Sequence, residues 1–382
     1  MNISLHGYRV VFAGTPAFSI PSLNALIGMD LKPMAVITQP DRRSGRGKVL
    51  TKSPIKKFAE NHAIPVWQPI TMSDSGILEK IRSIEPDLIV VAAYGMLLPR
   101  VILDIPKYGC LNVHASLLPK WRGASPIQSA ILYGDTYTGV SLMKMEEGLD
   151  SGPVFSQHQL KIKPCETADE LDNRLAELGA YALNEDLLSI LNGNLSLDDQ
   201  DTKCISVAKK IKKSDARIDW KHSSDYIARH IRAYNSYPGA HFCLDDEFIK
   251  CWLAESLNHN SQVPGKVTNV TKSGIEVACG FVGGTTGFTT ADTGVFGQFT
   301  NAKNGSADPT QETDELCYSL AVASPGGTAV FSIDQTGTVT LDSGTTINGT
   351  YTFTCTVTDA SPSCVNDANS LSVDCVIDVI LG

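Results

Sequence analysis

Short apolar runs alternate with longer amphipathic stretches over the first part of the chain. Residues 9–14 (RVVFAG), 33–40 (PMAVITQP) and 87–95 (DLIVVAAYG) are largely apolar, as expected for parallel strands that are covered on both faces. Residues 75–86 instead carry apolar side chains at helical spacing. The alternation of strand and helix predicts an α/β fold, with a Rossmann-like domain built on a predominantly parallel sheet.

The clearest predicted helix covers residues 165–194. Thr167 and Glu170 have the spacing of a capping box at its start. Leucines recur at helical spacing between residues 171 and 191, and Gly193 suits the end of the helix. We expect this helix to have a structural role.

The pattern changes again further along the chain. Short strand-like segments fill residues 205–280 and predict a small OB-like β-barrel, whereas after residue 281 every segment is strand-like or turn-like. Residues 1–280 hold 31 Lys and Arg against 30 Asp and Glu, but residues 281–382 hold one Lys, no Arg and 11 acidic residues. We therefore predict a catalytic domain at 1–195, a barrel domain at 205–280 and an all-β, Thr- and Gly-rich, β-sandwich-like tail at 281–382.

Cysteine usage and hydropathy indicate the compartment. Six cysteines are scattered over residues 110–279 without a CxxC pair, which suits reduced thiols in the cytoplasm. The longest apolar run, at residues 88–93, is far shorter than a membrane span. We expect a cytoplasmic monomer that makes no membrane contact and holds no metal.

Candidate catalytic residues begin within the strand-like run at residues 109–114. Asn112 and His114 are two positions apart, so on an extended strand their side chains share one face. Asp150 follows a further strand-like segment. An amide, an imidazole and a carboxylate together can bind an oxyanion and relay protons in an acyl or formyl transfer. The alternative is structural: an Asn-x-His pair can belong to a core, and Asp-Ser-Gly is ordinary turn chemistry.

The surrounding motifs favour the chemical interpretation. NVHASLLPKWRGASPI (112–127), followed by EEGLDSGP (146–153), resembles the formyltransferases that use 10-formyltetrahydrofolate as co-substrate. The resemblance implies that Asn112, His114 and Asp150 are catalytic. It implies a folate site lined by Ser116, Leu117, Leu118 and Pro119, with Tyr94 and Gly95 beside the pterin. The first glycine loop, FAGTP, lacks GxGxxG, so a nicotinamide or flavin dinucleotide is not expected.

Two basic segments bear on the acceptor of the formyl group. PDRRSGRGK (40–48) resembles the insertion by which methionyl-tRNA formyltransferases contact the acceptor arm of initiator tRNA, although such a run is often only a solvated loop. With a second basic stretch before the predicted barrel, it gives the tRNA-binding candidates Arg42, Arg43, Arg46, Lys48, Lys209, Lys210, Lys212 and Lys213. Near residue 280 the sequence stops resembling the C-terminal domain of these enzymes. The predicted barrel therefore looks truncated.

The sequence leaves two alternative functions open. One is a folate-dependent sugar-nucleotide formyltransferase, and the other is a non-catalytic fusion in which the tail is a binding or adhesion module. The tail resembles cadherin-like or immunoglobulin-like repeats. For the origin of the tail, we favour a natural or artefactual fusion of a truncated enzyme with a fragment of a surface protein. The other interpretation is that the tail is a genuine added interaction module. Its cysteines, Cys317, Cys355, Cys364 and Cys375, fit either disulfides or free thiols.

Overall fold

The computed structural model describes residues 7–44, 49–244, 247–257, 263–270 and 274–280, together with the backbone of seven strands beyond residue 280. Contacts divide the chain into two compact units. One contains residues 1–219 and 226–256, and the other contains residues 220–225 and 257–382.

The described helices, in chain order, are α1 (Ser19–Gly28), α2 (Pro54–Asn61), α3 (Ser75–Ile84), α4 (Arg100–Leu103), α5 (Pro126–Leu132), α6 (Ala168–Leu191) and α7 (Ser224–Ala233). The described strands up to residue 280 are β1 (Val10–Gly14), β2 (Ala35–Ile37), β3 (Arg42–Ser44), β4 (Val49–Thr51), β5 (Val66–Trp67), β6 (Leu88–Ala92), β7 (Cys110–His114), β8 (Arg122–Gly123), β9 (Tyr137–Lys144), β10 (Val154–Lys161), β11 (Val207–Ala208), β12 (His241–Leu244), β13 (Glu247–Lys250), β14 (Val267–Val270) and β15 (Ile275–Val277). Beyond it lie β16 (Phe288–Thr289), β17 (Val295–Gln298), β18 (Leu316–Ala323), β19 (Val330–Ile333), β20 (Thr338–Ser343), β21 (Gly349–Asp359) and β22 (Leu371–Ile380).

A seven-stranded sheet forms the centre of the first unit. Its strand order is β10-β9-β7-β6-β1-β2-β5. Strands β7, β6, β1, β2 and β5 are parallel to one another, whereas β9 pairs antiparallel with both β7 and β10. The predicted Rossmann-like, mainly parallel sheet is therefore confirmed. The carboxyl ends of the five parallel strands meet at one edge, where open α/β sheets bind their ligands.

Helices cover both faces of this sheet. On one face α3 and α4 contribute Ile81 and Ile102 to a buried cluster with Val11 and Ile89 of the sheet. On the other face α1 packs against α6, and α6 packs on β9 and β10. At the end of β1, a Cβ at Gly14 would lie 2.7 Å from the Cβ of Ser19. Glycine is thus required by the tight turn from strand to helix.

Helix α6 begins and ends as predicted. Thr167 accepts a hydrogen bond from the backbone N–H of Glu170, whose carboxylate accepts one from the N–H of Thr167. This capping box satisfies two backbone donors that a helix start would otherwise leave unpaired. At the other end, Gly193 adopts φ +70°, a left-handed conformation that favours glycine.

The strands predicted after residue 240 are present as antiparallel pairs, β12 with β13 and β14 with β15. Beyond residue 280, the described strands form one four-stranded and one three-stranded sheet. The OB-like barrel and the β-sandwich-like tail stay predictions, and the tail cysteine side chains lie outside the described residues. No helix of the described residues is both long and apolar enough to cross a membrane.

Candidate active site

Strand β7 presents Asn112 and His114 on the same face of the sheet. Asn112 pairs with Val91 of β6 and Met143 of β9, and His114 is the last residue of the strand. Only 8% of Asn112 and 6% of His114 is exposed. Buried polar side chains require hydrogen-bond partners, and both find them at the carboxyl edge of the sheet.

Asp150 is the residue that joins these two side chains. Its Oδ1 accepts a hydrogen bond from the Asn112 amide at 3.3 Å, and its Oδ2 accepts one from the backbone N–H of Gly123 at 2.8 Å. The same Oδ2 lies 3.8 Å from Nδ1 of His114. The structure thus brings together the three side chains that the sequence singled out.

The hydrogen-bond partner of His114 determines which ring nitrogen carries the proton. Nε2 lies 3.0 Å from the carbonyl oxygen of Trp121. A carbonyl only accepts, so in the neutral ring Nε2 is the protonated nitrogen and Nδ1 keeps its lone pair. That lone pair is on the side of Asp150, across a gap that is too long for a direct hydrogen bond and suits a bridging water or substrate atom.

Asp150 reaches the site by a different route from the one that the sequence predicts. We expect Asp150 to lie past a strand end at the same edge as His114, but β9 runs antiparallel to β7 and pairs Lys144 with Leu111, near the start of β7. The carboxyl end of β9 is therefore at the opposite edge. The segment 145–153 brings Asp150 back to Asn112 and His114 before the chain enters β10.

This returning segment is closely packed. The N–H of Lys144 donates to the carbonyl of Pro153 at 2.9 Å, which closes the loop. A Cβ at Gly152 would lie 1.9 Å from the carbonyl oxygen of Lys144, so only glycine fits there. Asp150 itself adopts φ +46°, a left-handed conformation that is uncommon for residues other than glycine.

Trp121, which the sequence motif contains but the predicted site does not, holds the imidazole. Its indole N–H donates to Asp135 at 2.6 Å, and Lys120 pairs with the same carboxylate at 2.7 Å. Its backbone N–H donates to the hydroxyl of Ser206 at 2.8 Å. These contacts fix the backbone carbonyl that accepts the hydrogen bond from Nε2 of His114. They also hold Trp121 in the left-handed region, with φ +63°.

The predicted folate segment is divided between buried and accessible residues. Ser116 is fully buried, and its hydroxyl donates to the carbonyl of Lys120 at 2.6 Å. Leu118 is buried against Met143 and Val154. Leu117 and Pro119 are only half-buried, so they are the side chains of this segment that a ligand can contact.

The loop that follows β6 shows a similar division. The Tyr94 side chain lies in the core, its hydroxyl is 3.1 Å from the sulfur of Met72, and burial raises the pKa of Tyr94 to about 12. Its carbonyl accepts hydrogen bonds from Thr15 and Gln39, each at 3.0 Å. Gly95 is exposed. The Tyr94 side chain therefore anchors this loop to the core.

The basic segment at residues 42–57 begins with a hairpin, formed by β3 and β4, that starts at the same edge of the sheet. Strands β3 and β4 pair antiparallel, with Arg42 opposite Thr51, and both Arg42 and Arg43 are exposed. Arg46 and Lys48 lie outside the described residues. Because β2 ends at this edge, the exposed guanidinium groups belong to the same side of the sheet as His114.

Not every cation of this segment is free to bind a partner. Lys52 pairs with Glu60 at 2.7 Å, and Lys56 pairs with Asp41 at 2.8 Å. Hydrogen bonds from Lys56 and Gln68 hold the pKa of the Asp41 carboxyl below its usual value. These contacts stabilise the base of the hairpin and leave Arg42 and Arg43 as its exposed cations among the described residues.

The second basic stretch also begins beside the site. Strand β11 pairs in parallel with β8, and the N–H of Ala124 donates to the carbonyl of Ala208 at 2.9 Å. The chain then continues into exposed lysines, which are Lys209, Lys210, Lys212 and Lys213.

The geometry of the trio suits attack by an amine on a carbonyl carbon. The Asn112 nitrogen carries two hydrogens and uses one on Asp150, so the second is available to an oxyanion. His114 and Asp150 face each other across a gap in which a proton can move through one intervening atom.

Family models match two parts of the chain. The model described as "Formyl transferase" matches residues 8–187, and the one described as "Formyl transferase, C-terminal domain" matches residues 210–289. The first match contains Asn112, His114 and Asp150, and the second begins within the basic stretch that follows β11.

Curated relatives align with most of the chain. The methionyl-tRNA formyltransferase of Hydrogenovibrio crunogenus is 43% identical over 273 residues, which are 71% of this chain and 88% of the relative. That of Pseudomonas savastanoi pv. phaseolicola is 45% identical over 272 residues, which are 71% of this chain and 86% of the relative.

Solved structures show the same fold at lower identity. An N-formyltransferase from Helicobacter canadensis, in complex with folinic acid and dTDP-3-aminofucose, has a TM-score of 0.55 at 20% identity and covers 72% of this chain and 100% of its own. WlaRD, a sugar 3N-formyltransferase solved in the presence of dTDP and 5-N-formyl-THF, has a TM-score of 0.53 at 19% identity and covers 72% of this chain and 98% of its own.

Proposed function

The chain belongs to the formyl transferase family, and we propose that it transfers a formyl group from 10-formyltetrahydrofolate to the methionine amino group of charged initiator tRNA. The observation that carries the chemistry is the convergence of Asn112, His114 and Asp150 at the carboxyl edge of the sheet. The acceptor is supported by relatives of 43–45% identity that are methionyl-tRNA formyltransferases. Sugar-nucleotide formylation is supported only by structures of about 20% identity.

The reaction exchanges one C–N bond for another. The neutral methionine amine attacks the formyl carbon, and the bond from that carbon to N10 of the folate breaks. Asn112 donates a hydrogen bond to the oxygen that becomes negative. His114 can add a donor from Nδ1 only once that nitrogen has taken up a proton. The proton lost by the amine passes through the space between His114 and Asp150, and N10 gains a proton as it leaves.

The residues around the trio fit a folate co-substrate. Leu117 and Pro119 provide accessible apolar surface, and Gly95 exposes backbone without a side chain. Leu97, in the same loop, is 81% exposed. Accessible apolar side chains beside polar groups suit a ligand with a flat ring system, because they pack against the faces of the ring.

The three parts of the chain differ in their contribution to formylation. Residues 1–195 form the catalytic domain, residues 205–280 form an OB-like domain that binds tRNA, and residues 281–382 form a separate β-sandwich-like tail without a role in formylation. The protein acts as a monomer in the cytoplasm, where initiator tRNA is charged.

A comparison of acceptors tests this function. The full chain is incubated with 10-formyltetrahydrofolate and either methionyl initiator tRNA, uncharged tRNA or a dTDP-amino sugar. We expect formylation of the charged tRNA alone. Formylation of the amino sugar without reaction on the tRNA would establish the rival function, and no product with any acceptor would support a non-catalytic chain.

The exposed arginines of the β3–β4 hairpin give a sharper test of the tRNA interface. In the Arg42→Ala/Arg43→Ala variant we expect weaker binding of charged tRNA. The slope of log Kd against log salt should be smaller by about 0.7–0.9 for each tRNA phosphate that the two arginines neutralise in the unmodified protein. Filter binding over a salt series measures this slope.

A matched control for this variant lies at the other edge of the sheet. Arg82, in the last turn of α3, is also exposed, but α3 ends where β6 begins, away from His114. The Arg82→Ala variant should keep the original slope. Equal slopes for all three proteins would argue against tRNA contact by the hairpin.

A further inference from the structure

The segment between α6 and β11 returns to the active site. Asp198 exchanges two backbone hydrogen bonds of 2.9 Å with Val154, the first residue of β10. Further along, the carbonyl of Ser206 accepts from the N–H of Arg122 at 2.9 Å. This segment therefore borders both the loop that carries Asp150 and the loop that holds His114.

Gln200 of this segment connects the two loops through its side-chain amide. Its Nε2 donates to the carbonyl of Asp150 at 2.8 Å and to the carbonyl of Gly152 at 2.7 Å. Its Oε1 accepts from Nε of Arg122 at 2.9 Å. Both hydrogens and the oxygen of the amide are thus used, a degree of satisfaction that fixes the side chain in one orientation.

The hydrogen bonds of Gln200 bear on the conformation of Asp150. Asp150 has φ +46°, a conformation that is strained for a residue with a side chain and persists only where neighbours enforce it. Gln200 holds the backbone on both sides of Ser151, next to this strained residue. The Asp150 carboxylate in turn must stay within reach of Asn112 and His114.

We propose that Gln200 is a positioning residue for the formyl transfer, which acts by holding the backbone of Asp150. The proposal rests on the proposed catalytic role of Asp150. Glutamate cannot replace the amide, because a carboxylate accepts from Arg122 but donates nothing to two carbonyl oxygens. Through its hydrogen bond with Arg122, Gln200 also holds the 121–123 loop. The Gly123 N–H of this loop donates to the Asp150 carboxylate.

Two substitutions test the proposal in the full-length chain. Gln200→Glu keeps the size and still accepts from Arg122 but removes both donated hydrogen bonds, and Gln200→Met removes them without adding charge. We expect kcat to fall about 10- to 100-fold in each, because small misplacements of a reacting group have effects of this size. The Kd values for folate and charged tRNA should change by less than about twofold, because Gln200 is not proposed to touch either substrate.

The control is Gln159→Glu, which makes the same charge change at an exposed position of β10 and should leave kcat unaltered. All rates are measured well below the lowest Tm of the set, so that unfolding does not contribute. Asp150→Asn is assayed in parallel. Unaltered kcat in either Gln200 variant, with Asp150→Asn inactive, would overturn the positioning role alone.

The other outcomes are equally decisive. Full activity of Asp150→Asn would contradict the proposed function of that residue, whatever the Gln200 variants do. A Gln200 variant in which substrate affinity and kcat fall by the same factor would show general damage to the site and would overturn the specific link to Asp150.

Discussion

Replacing His114 by alanine is expected to lower kcat for formyl transfer by about 10²- to 10⁴-fold, the usual range for the loss of a positioned acid or base. The substitution removes the Nδ1 lone pair that faces Asp150 and the ring that donates to Trp121. The rest of the site is held by contacts that do not involve the imidazole, including the Gly123 hydrogen bond to Asp150. Binding of folate and tRNA should therefore persist.

The measurement is a single-turnover rate with both substrates bound, together with the Kd of each. His62→Ala is a suitable control, because His62 is a half-buried histidine at the end of α2 whose ring contacts the carbonyl of Phe58. It should retain the rate of the unmodified protein. If His114→Ala folds and turns over as fast as the control, His114 is not part of the proton relay.

Replacing Asn112 by aspartate is expected to lower kcat by about 10²- to 10³-fold, the cost of removing one donor from an oxyanion site. The two side chains are almost equal in size, so packing in β7 is retained. The change removes both amide hydrogens and sets a second carboxylate against Oδ1 of Asp150, where the Asn112 nitrogen now lies at 3.3 Å. A negative charge there opposes the oxyanion that the reaction forms.

Steady-state kinetics should show this loss mainly in kcat, because the interaction strengthens as charge develops on the formyl oxygen. The Asn61→Asp variant makes the same change on an exposed residue at the end of α2 and should be neutral. Comparable kcat values in the two variants would exclude Asn112 as the oxyanion donor.

Much of the fold follows from local sequence pattern. The continuous apolar runs predict β1 and β6, and the capping residues of α6 define its start, because these signals depend on residues close in the chain. The shared face of Asn112 and His114 follows from the two-residue period of an extended strand. These features need no information about distant contacts.

The route of Asp150 could not be predicted in the same way. An apolar strand has the same pattern whichever way it runs, so the sequence does not reveal that β9 is antiparallel to β7. Gln200 gave no signal either, because a glutamine in a polar linker is ordinary and its partners are 48 to 78 residues distant. Tyr94 shows the converse: it lies in the predicted loop, but its side chain belongs to the core.

The most direct test follows a labelled formyl carbon. The full chain is mixed with 10-formyltetrahydrofolate carrying ¹³C in the formyl group and with methionyl initiator tRNA, and the aminoacyl group is analysed by mass spectrometry after a single turnover. We expect the label on the methionine amino nitrogen, one tetrahydrofolate released for each formyl group transferred, and no transfer above background by His114→Ala. Absence of the label from methionine, or equal transfer by the variant, would contradict the assignment of this reaction to the site formed by Asn112, His114 and Asp150.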